Sequence, residues 1–183
     1  MQGQIMRSVT MPLTVKNSTL LFILITFILM GNVAFPQARV AWNDYDSGIR
    51  LSKKTNRIVF IFFYADWCAY CKMMDDVNFT DAAIAGSLNN NFIPIRLNVD
   101  SGRKLPAYSN YTLTPKELFN TMSGSALPYM VFTDSAGGII TGIPGYIKKE
   151  IFNPLLKYIA MGCYNKNITF EEYLEGSKKC TGN

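Results

Sequence analysis

The stretch Phe60-Ile61-Phe62-Phe63-Tyr64-Ala65-Asp66-Trp67-Cys68-Ala69-Tyr70-Cys71-Lys72 decides how the rest of the chain is read. Ile58 to Tyr64 is a continuous apolar, β-branched and aromatic run, the pattern of a strand covered on both faces. Two cysteines separated by two residues follow, and then Lys72-Met73-Met74-Asp75-Asp76-Val77, a run of good helix formers. The order predicts a buried strand that turns into a helix with Cys68 at its N-terminus. Unpaired backbone N–H groups and the positive end of the helix dipole favour an anion there, and a Cys-x-x-Cys pair lowers a thiol pKa from about 8.5 into the range of roughly 3.5 to 7.5. Cys68 is then the nucleophilic thiolate. Cys71, one helical turn inward and more shielded, closes a disulfide with it. This reading requires Cys68 to be reachable from solvent.

A Cys-x-x-Cys pair by itself also serves zinc ribbons and plain structural disulfides. The longer string is more specific. Tyr64 to Lys72, with its aromatic-Ala-acidic-Trp lead and trailing lysine, resembles the active-site segment of thioredoxin-like proteins, especially envelope members such as the C-terminal domain of the reductant transporter DsbD. A second piece agrees: Ala126-Leu127-Pro128-Tyr129 sets a proline directly before another β-type run, where that family carries a cis-proline facing its cysteines. The resemblance covers about residues 40 to 160. It implies an α/β, thioredoxin-like fold with a central mixed sheet flanked by helices on both faces. It also implies thiol–disulfide oxidoreductase activity, with Cys68 and Cys71 catalytic and Trp67, Leu127 and Pro128 binding substrate. Neither a cofactor nor a resident metal is called for.

Two positions carry the family comparison further. Arg96, in the strand-like run Phe92 to Asp100, occupies a place where many thioredoxins keep a lysine near the active site. Phe62 stands six residues before Cys68, where thioredoxins commonly hold a buried aspartate that assists proton transfer. The acid–base step of the family is therefore not carried over, and Asp66 reads as a solvated turn residue.

Composition narrows the function classes. The chain has 183 residues, 49% of them hydrophobic, which suits one domain with a sizeable core. Its net charge of +5 is spread over isolated pairs such as Lys53-Lys54 and Lys148-Lys149, so no nucleic-acid footprint is expected. It contains no histidine, which removes Cys-His and Ser-His-Asp catalysis together. Oxidising members of the family often place a histidine between their cysteines, whereas this chain has Ala69-Tyr70.

Residues 1–38 read as a signal peptide. Arg7 and Lys16 precede the apolar core Leu20 to Met30, and Gly31 to Ala38 supplies small residues for cleavage. The alternative is an uncleaved anchor, although a spanning helix needs about 20 apolar residues. The expected location is the periplasm or cell envelope, and membrane contact is expected only if this segment stays uncleaved.

Residues 39–162 read as the thioredoxin-like domain. Arg39 to Asn56 places Trp42, Tyr45, Ile49 and Ser52 at helical spacing. Thr80 or Asp81 caps a short helix through Leu88, which Asn89-Asn90-Asn91 ends. Ser101 to Tyr111 reads as a loop. Thr114-Pro115-Lys116-Glu117 opens a helix with a capping box. Tyr129 to Thr133 and Ile139 to Ile143 form a hairpin whose turn uses Gly137-Gly138. The run Gly142-Ile143-Pro144-Gly145 lets another chain approach closely. Ile147 to Met161 is a closing helix that Pro154 should kink or delay.

Residues 163–183 form a C-terminal extension bracketed by Cys163 and Cys180. In an exported chain an even cysteine count favours a structural disulfide between them; a second redox pair and two free thiols are the alternatives. The leading functional expectation is an exported reductase of protein disulfides. Its partners are a disulfide-bearing protein and a thiol electron donor such as a membrane reductant transporter. The rival is soft-metal Cu(I) binding at the Cys68–Cys71 pair, or a redox-inactive interaction module.

Overall fold

The computed structural model describes residues 39–105 and 112–181. Residues 1–38, on which the export reading rests, and the greater part of the loop ending at Tyr111 lie outside the described residues. Among the described residues no helix is long and apolar enough to cross a membrane.

Helix α1 spans Tyr45–Thr55 and strand β1 Ile58–Tyr64. Helix α2, Ala69–Met73, runs without a break into a π-helical turn, Met74–Asn78. Then come α3 (Ala82–Asn91), β2 (Phe92–Asn98), α4 (Pro115–Thr121), β3 (Tyr129–Thr133), β4 (Ile139–Pro144) and α5 (Lys149–Ala160). A 3-10 turn, Cys163–Lys166, and a short helix α6, Phe170–Leu174, complete the chain. The strands form one mixed sheet in the order β2-β1-β3-β4, with β1 parallel to β2 and antiparallel to β3.

The apolar run of β1 takes the centre of this sheet because both its faces are covered. Residues Phe60 to Phe63 have no solvent exposure. Phe60 and Phe62 pack against Phe79 on one face, and Phe60 also meets Phe152 of α5. Phe63 meets Phe119 of α4 on the other. Helix α1 joins that second face through Gly48, where a Cβ would come within 2.6 Å of the Ile95 side chain. The expected layering, a mixed sheet with helices on both faces, is the one observed.

The boundaries differ from the sequence reading where polar residues have distant partners. Trp42 does not belong to α1. Asp44 caps that helix, accepting from the Ser47 N–H at 3.0 Å, so the polar residues there mark its start. Upstream, the Asn43 N–H donates to the Pro94 carbonyl at 2.8 Å, which lays the chain along the β2 edge. Asn89-Asn90-Asn91 does not end α3 but forms its last turn. Asn89 is used to hold Arg39 and Ala41, donating to one backbone and accepting from the other at 2.8 Å each.

The loop after β2 is anchored, because buried Leu105 pairs with Leu113 through a 2.7 Å backbone bond. Only Gly137 of the hairpin turn adopts positive φ, at 97°. At Gly142 the close approach comes from within the chain: a Cβ there would collide with the Tyr129 hydroxyl. Pro154 lies inside α5, which neither starts after it nor stops at it. Thr114 and Glu117 form the reciprocal capping box at the head of α4. The backbone and hydroxyl bonds from Thr114 hold the Glu117 carboxyl below its ordinary pKa.

Candidate active site

Strand β1 delivers Cys68 to the end of the sheet at which β3 begins, since Phe63 pairs with Tyr129. Pro128 immediately precedes β3, so it occupies the same end, and the Leu127–Pro128 peptide bond is cis. The Pro128 carbonyl accepts from the Gly145 N–H at 2.7 Å, which ties the segment after β4 to the same corner. Gly145 has φ of 83°, a conformation glycine adopts without strain. Leu127 is partly buried against the core. Beside it the Tyr129 hydroxyl donates to the Met122 carbonyl at 2.8 Å, and burial pushes the Tyr129 phenol pKa up.

Cys68 is the N-cap residue of α2, in extended backbone geometry. Its sulfur accepts from the Cys71 N–H at 3.1 Å and is bonded to the Cys71 sulfur, with the Cα atoms 5.2 Å apart. An N-cap position directs backbone donors and the helix dipole at the capping atom, so a sulfur placed there is stabilised as a thiolate once the bond opens. The pair is less open than the sequence reading required. Cys68 is 5% exposed and Cys71 1%. Cys68 therefore keeps the larger outlet to solvent, while the exposed area belongs to its neighbours, Trp67 at 71% and Tyr70 at 59%. The Trp67 indole N–H donates to Asp100 at 2.8 Å, and the Tyr70 ring stacks on Tyr146 with centroids 6.4 Å apart.

Cys71 borders a cleft of about 290 Å³ whose walls include Asp66, Lys72, Asp75 and Arg96. Arg96 donates two parallel bonds to Asp75, at 2.8 and 2.7 Å, and its guanidinium lies 4.0 Å from the Tyr64 ring centroid. Asp66 accepts from the Asn98 side chain at 3.1 Å. Phe62 is fully buried and stacks on Tyr64, so the position six residues before Cys68 offers no carboxylate to the cysteines.

Trp67, Cys68 and Cys71 thus lie in one segment, and the strand register puts Leu127 and Pro128 at the same end of the sheet. Cys163 and Cys180 belong elsewhere, in the C-terminal extension, where they are bonded to each other with Cα atoms 5.7 Å apart. The sequence reading missed Tyr146 and Asp75. Asp75 falls one helical turn after Cys71, a spacing that was available to find it. Nothing in the sequence pairs Tyr146 with Tyr70.

A family model for the thioredoxin-like domain matches residues 45–160. The thiol:disulfide interchange protein DsbD of Photorhabdus laumondii is 26% identical over 111 residues, which cover 60% of this chain and 18% of that protein. DsbD of Ralstonia nicotianae is 41% identical over 46 residues, covering 25% of this chain and 8% of that protein. The chain therefore spans less than a fifth of the curated relatives it matches. Among solved structures, a thioredoxin-fold protein from Helicobacter pylori superposes with a TM-score of 0.57 at 18% identity, covering 67% of this chain and 80% of that one. That likeness establishes the fold.

Proposed function

This chain belongs to the thioredoxin-like family of thiol–disulfide oxidoreductases, and on that premise we propose that it is an exported reductase of protein disulfides. The Cys68 thiolate attacks one sulfur of a substrate disulfide, forming a mixed disulfide and releasing the first substrate thiolate. The Cys71 thiolate then attacks the Cys68 sulfur, closing the bond and releasing the second. Two electrons pass from the dithiol to the substrate, and the released thiolates take up two protons from solvent. With Phe62 in place of an acid, the Cys71 proton leaves through water in the adjoining cleft. Trp67, Leu127 and Pro128 hold the extended substrate beside Cys68.

The observation that carries this reading is the helix-capping sulfur of Cys68, bonded to Cys71 and facing a backbone N–H. The absence of histidine between the cysteines and the similarity to DsbD proteins support the reductive direction. A reductase in an oxidising compartment needs a thiol donor, for which a membrane reductant transporter is the class we propose. The Leu20 to Met30 segment supports export as a signal peptide, and Cys163–Cys180 serves as a structural clamp on the C-terminal extension.

The test is equilibration of the purified chain in glutathione redox buffers, with an assay of model-disulfide reduction and metal analysis. A reversible two-electron couple near or below that of thioredoxin, about −270 mV, is expected. Turnover should fall on the order of a thousandfold or more in Cys68→Ser, through loss of the nucleophile. A strongly oxidising couple would reverse the direction. Stoichiometric Cu(I) without turnover would replace the reading altogether.

A further inference from the structure

The two helices on one face of the sheet leave its far end incompletely filled. Helix α4 has seven residues and is roughly 10 Å long, whereas the seven residues of β1 run for roughly 23 Å. Phe119 sets α4 over Phe63 and Tyr129, at the end that leads to the cysteines. Helix α1 is drawn toward β2 instead, because Gly48 lets it close on Ile95. Over Val59, Ile61 and Thr133, between α1 and the end of α4, lies a cavity of about 450 Å³. Val59 pairs with Thr133 across the sheet, and it stands roughly 16 Å of strand before Tyr64. The cavity therefore opens at the opposite end of the sheet from Cys68.

Its lining combines apolar walls with a few polar groups. Ile49, Val59 and Ile61 supply the walls. Buried Ser52 donates to the Arg57 carbonyl at 2.5 Å, so its oxygen is still able to accept. Thr133 is 2% exposed, and its hydroxyl has no hydrogen bond among the described residues. Lys53 follows Ser52 on α1 and stands exposed at the mouth, with no ion-pair partner among the described residues. Asp134, at the same mouth, commits its Oδ1 to the Ala136 and Gly138 N–H groups at 2.9 and 2.8 Å. A cavity of this size, mostly apolar with a few convergent polar groups, is the ordinary form of a small-molecule site.

We propose that this cavity binds a small aromatic molecule with a hydroxyl at one end and an acid group at the other. The rings cover the apolar walls, the hydroxyl pairs with Thr133 in the depth, and the acid meets Lys53 at the mouth. Water satisfies the Thr133 hydroxyl as well, but it gains nothing from Ile49, Val59 and Ile61. The site is independent of the exchange reading, and neither stands on the other.

The experiment titrates the full chain, both disulfides intact, by calorimetry with two probes. One is a hydroxynaphthoate whose hydroxyl and carboxylate lie on opposite rings, and the other is naphthoate without the hydroxyl. Wild type is expected to bind one hydroxynaphthoate with a Kd of about 1 mM or tighter. Naphthoate should bind roughly fivefold more weakly, the equivalent of one neutral hydrogen bond. Thr133→Val should abolish that difference and leave Tm unchanged or higher, because the hydroxyl it removes has no protein partner. Thr133→Ser, which keeps the hydroxyl, should retain the difference. Lys53→Gln should weaken both probes roughly threefold, as for an exposed ion pair. Absence of saturable binding in wild type overturns the proposal. So does a difference between the probes that survives Thr133→Val, or binding of both that is indifferent to Lys53→Gln.

Discussion

The molecule holds the same covalent bond in two settings. Cys68–Cys71 closes three residues of chain at the head of a helix. Cys163–Cys180 closes seventeen and fastens a tail. By loss of chain entropy alone, the longer closure stabilises the fold by about 3 kcal/mol and the shorter by roughly half that. The chemistry runs the other way. The difference is not exposure, since Cys68, Cys71 and Cys163 are all buried and half-buried Cys180 is the most exposed of the four; it is that the Cys68 sulfur caps a helix, accepts the Cys71 N–H and lies beside the exposed Trp67 and Tyr70.

The tail has further attachments. The Tyr158 hydroxyl donates to the Ile168 carbonyl at 2.7 Å, and its ring lies 5.4 and 5.5 Å from those of Phe170 and Tyr173. Thr169 and Glu172 form a capping box at the head of α6, and Lys178 pairs with Glu172 at 2.7 Å. On the reading proposed above, the first bond is a redox centre because of what surrounds its sulfurs, and the second a clamp because of the length of chain it closes.

The sharpest way to break this contrast is to remove the second bond. Cys163→Ser with Cys180→Ser is expected to cost about 3 kcal/mol, or roughly 6 to 12 °C in Tm for a chain of this size. Model-disulfide reduction should stay within about twofold, because no sulfur near Cys68 has changed. Thermal unfolding and the exchange assay read the two outcomes. A stable variant with greatly reduced turnover would instead make the pair a relay for electrons.

A smaller effect separates the tail from the site by pH. The Glu172 carboxyl sits below its ordinary pKa of 4.5, chiefly through its bond with Lys178 and then through the Thr169 backbone. A carboxyl depressed in the folded state adds stability above its unfolded pKa and loses it as pH falls through the folded value. The Tm advantage of wild type over Glu172→Gln should therefore be present near neutral pH and close as the solution is acidified below 4.5. A gap that is constant with pH would contradict the assigned cause.

The contrast also explains what could be read from the chain. The β1 run, the helix after it, the capping box at Thr114 and the hairpin are encoded by neighbours in sequence, and those elements appear where local pattern puts them. The end of α3 was misread because Asn89 looks like a terminator until its partners, Arg39 and Ala41, are known. Trp42 has helical spacing but is drawn onto Phe60, Phe62 and Phe79 instead. At the site, the two cysteines and Pro128 are legible as a motif. The Tyr70–Tyr146 stack and the Arg96–Asp75 pair are long-range contacts that no local pattern specifies.

The central claim is that one pair exchanges and the other does not. Its most direct test is to equilibrate the folded chain in graded glutathione buffers, block free thiols with an alkylating agent and locate the label by mass spectrometry. Cys68 and Cys71 should become labelled together and reversibly, while Cys163 and Cys180 stay bonded until the protein unfolds. Labelling of Cys163 and Cys180 at equal or milder potential, with Cys68–Cys71 intact, would contradict the account.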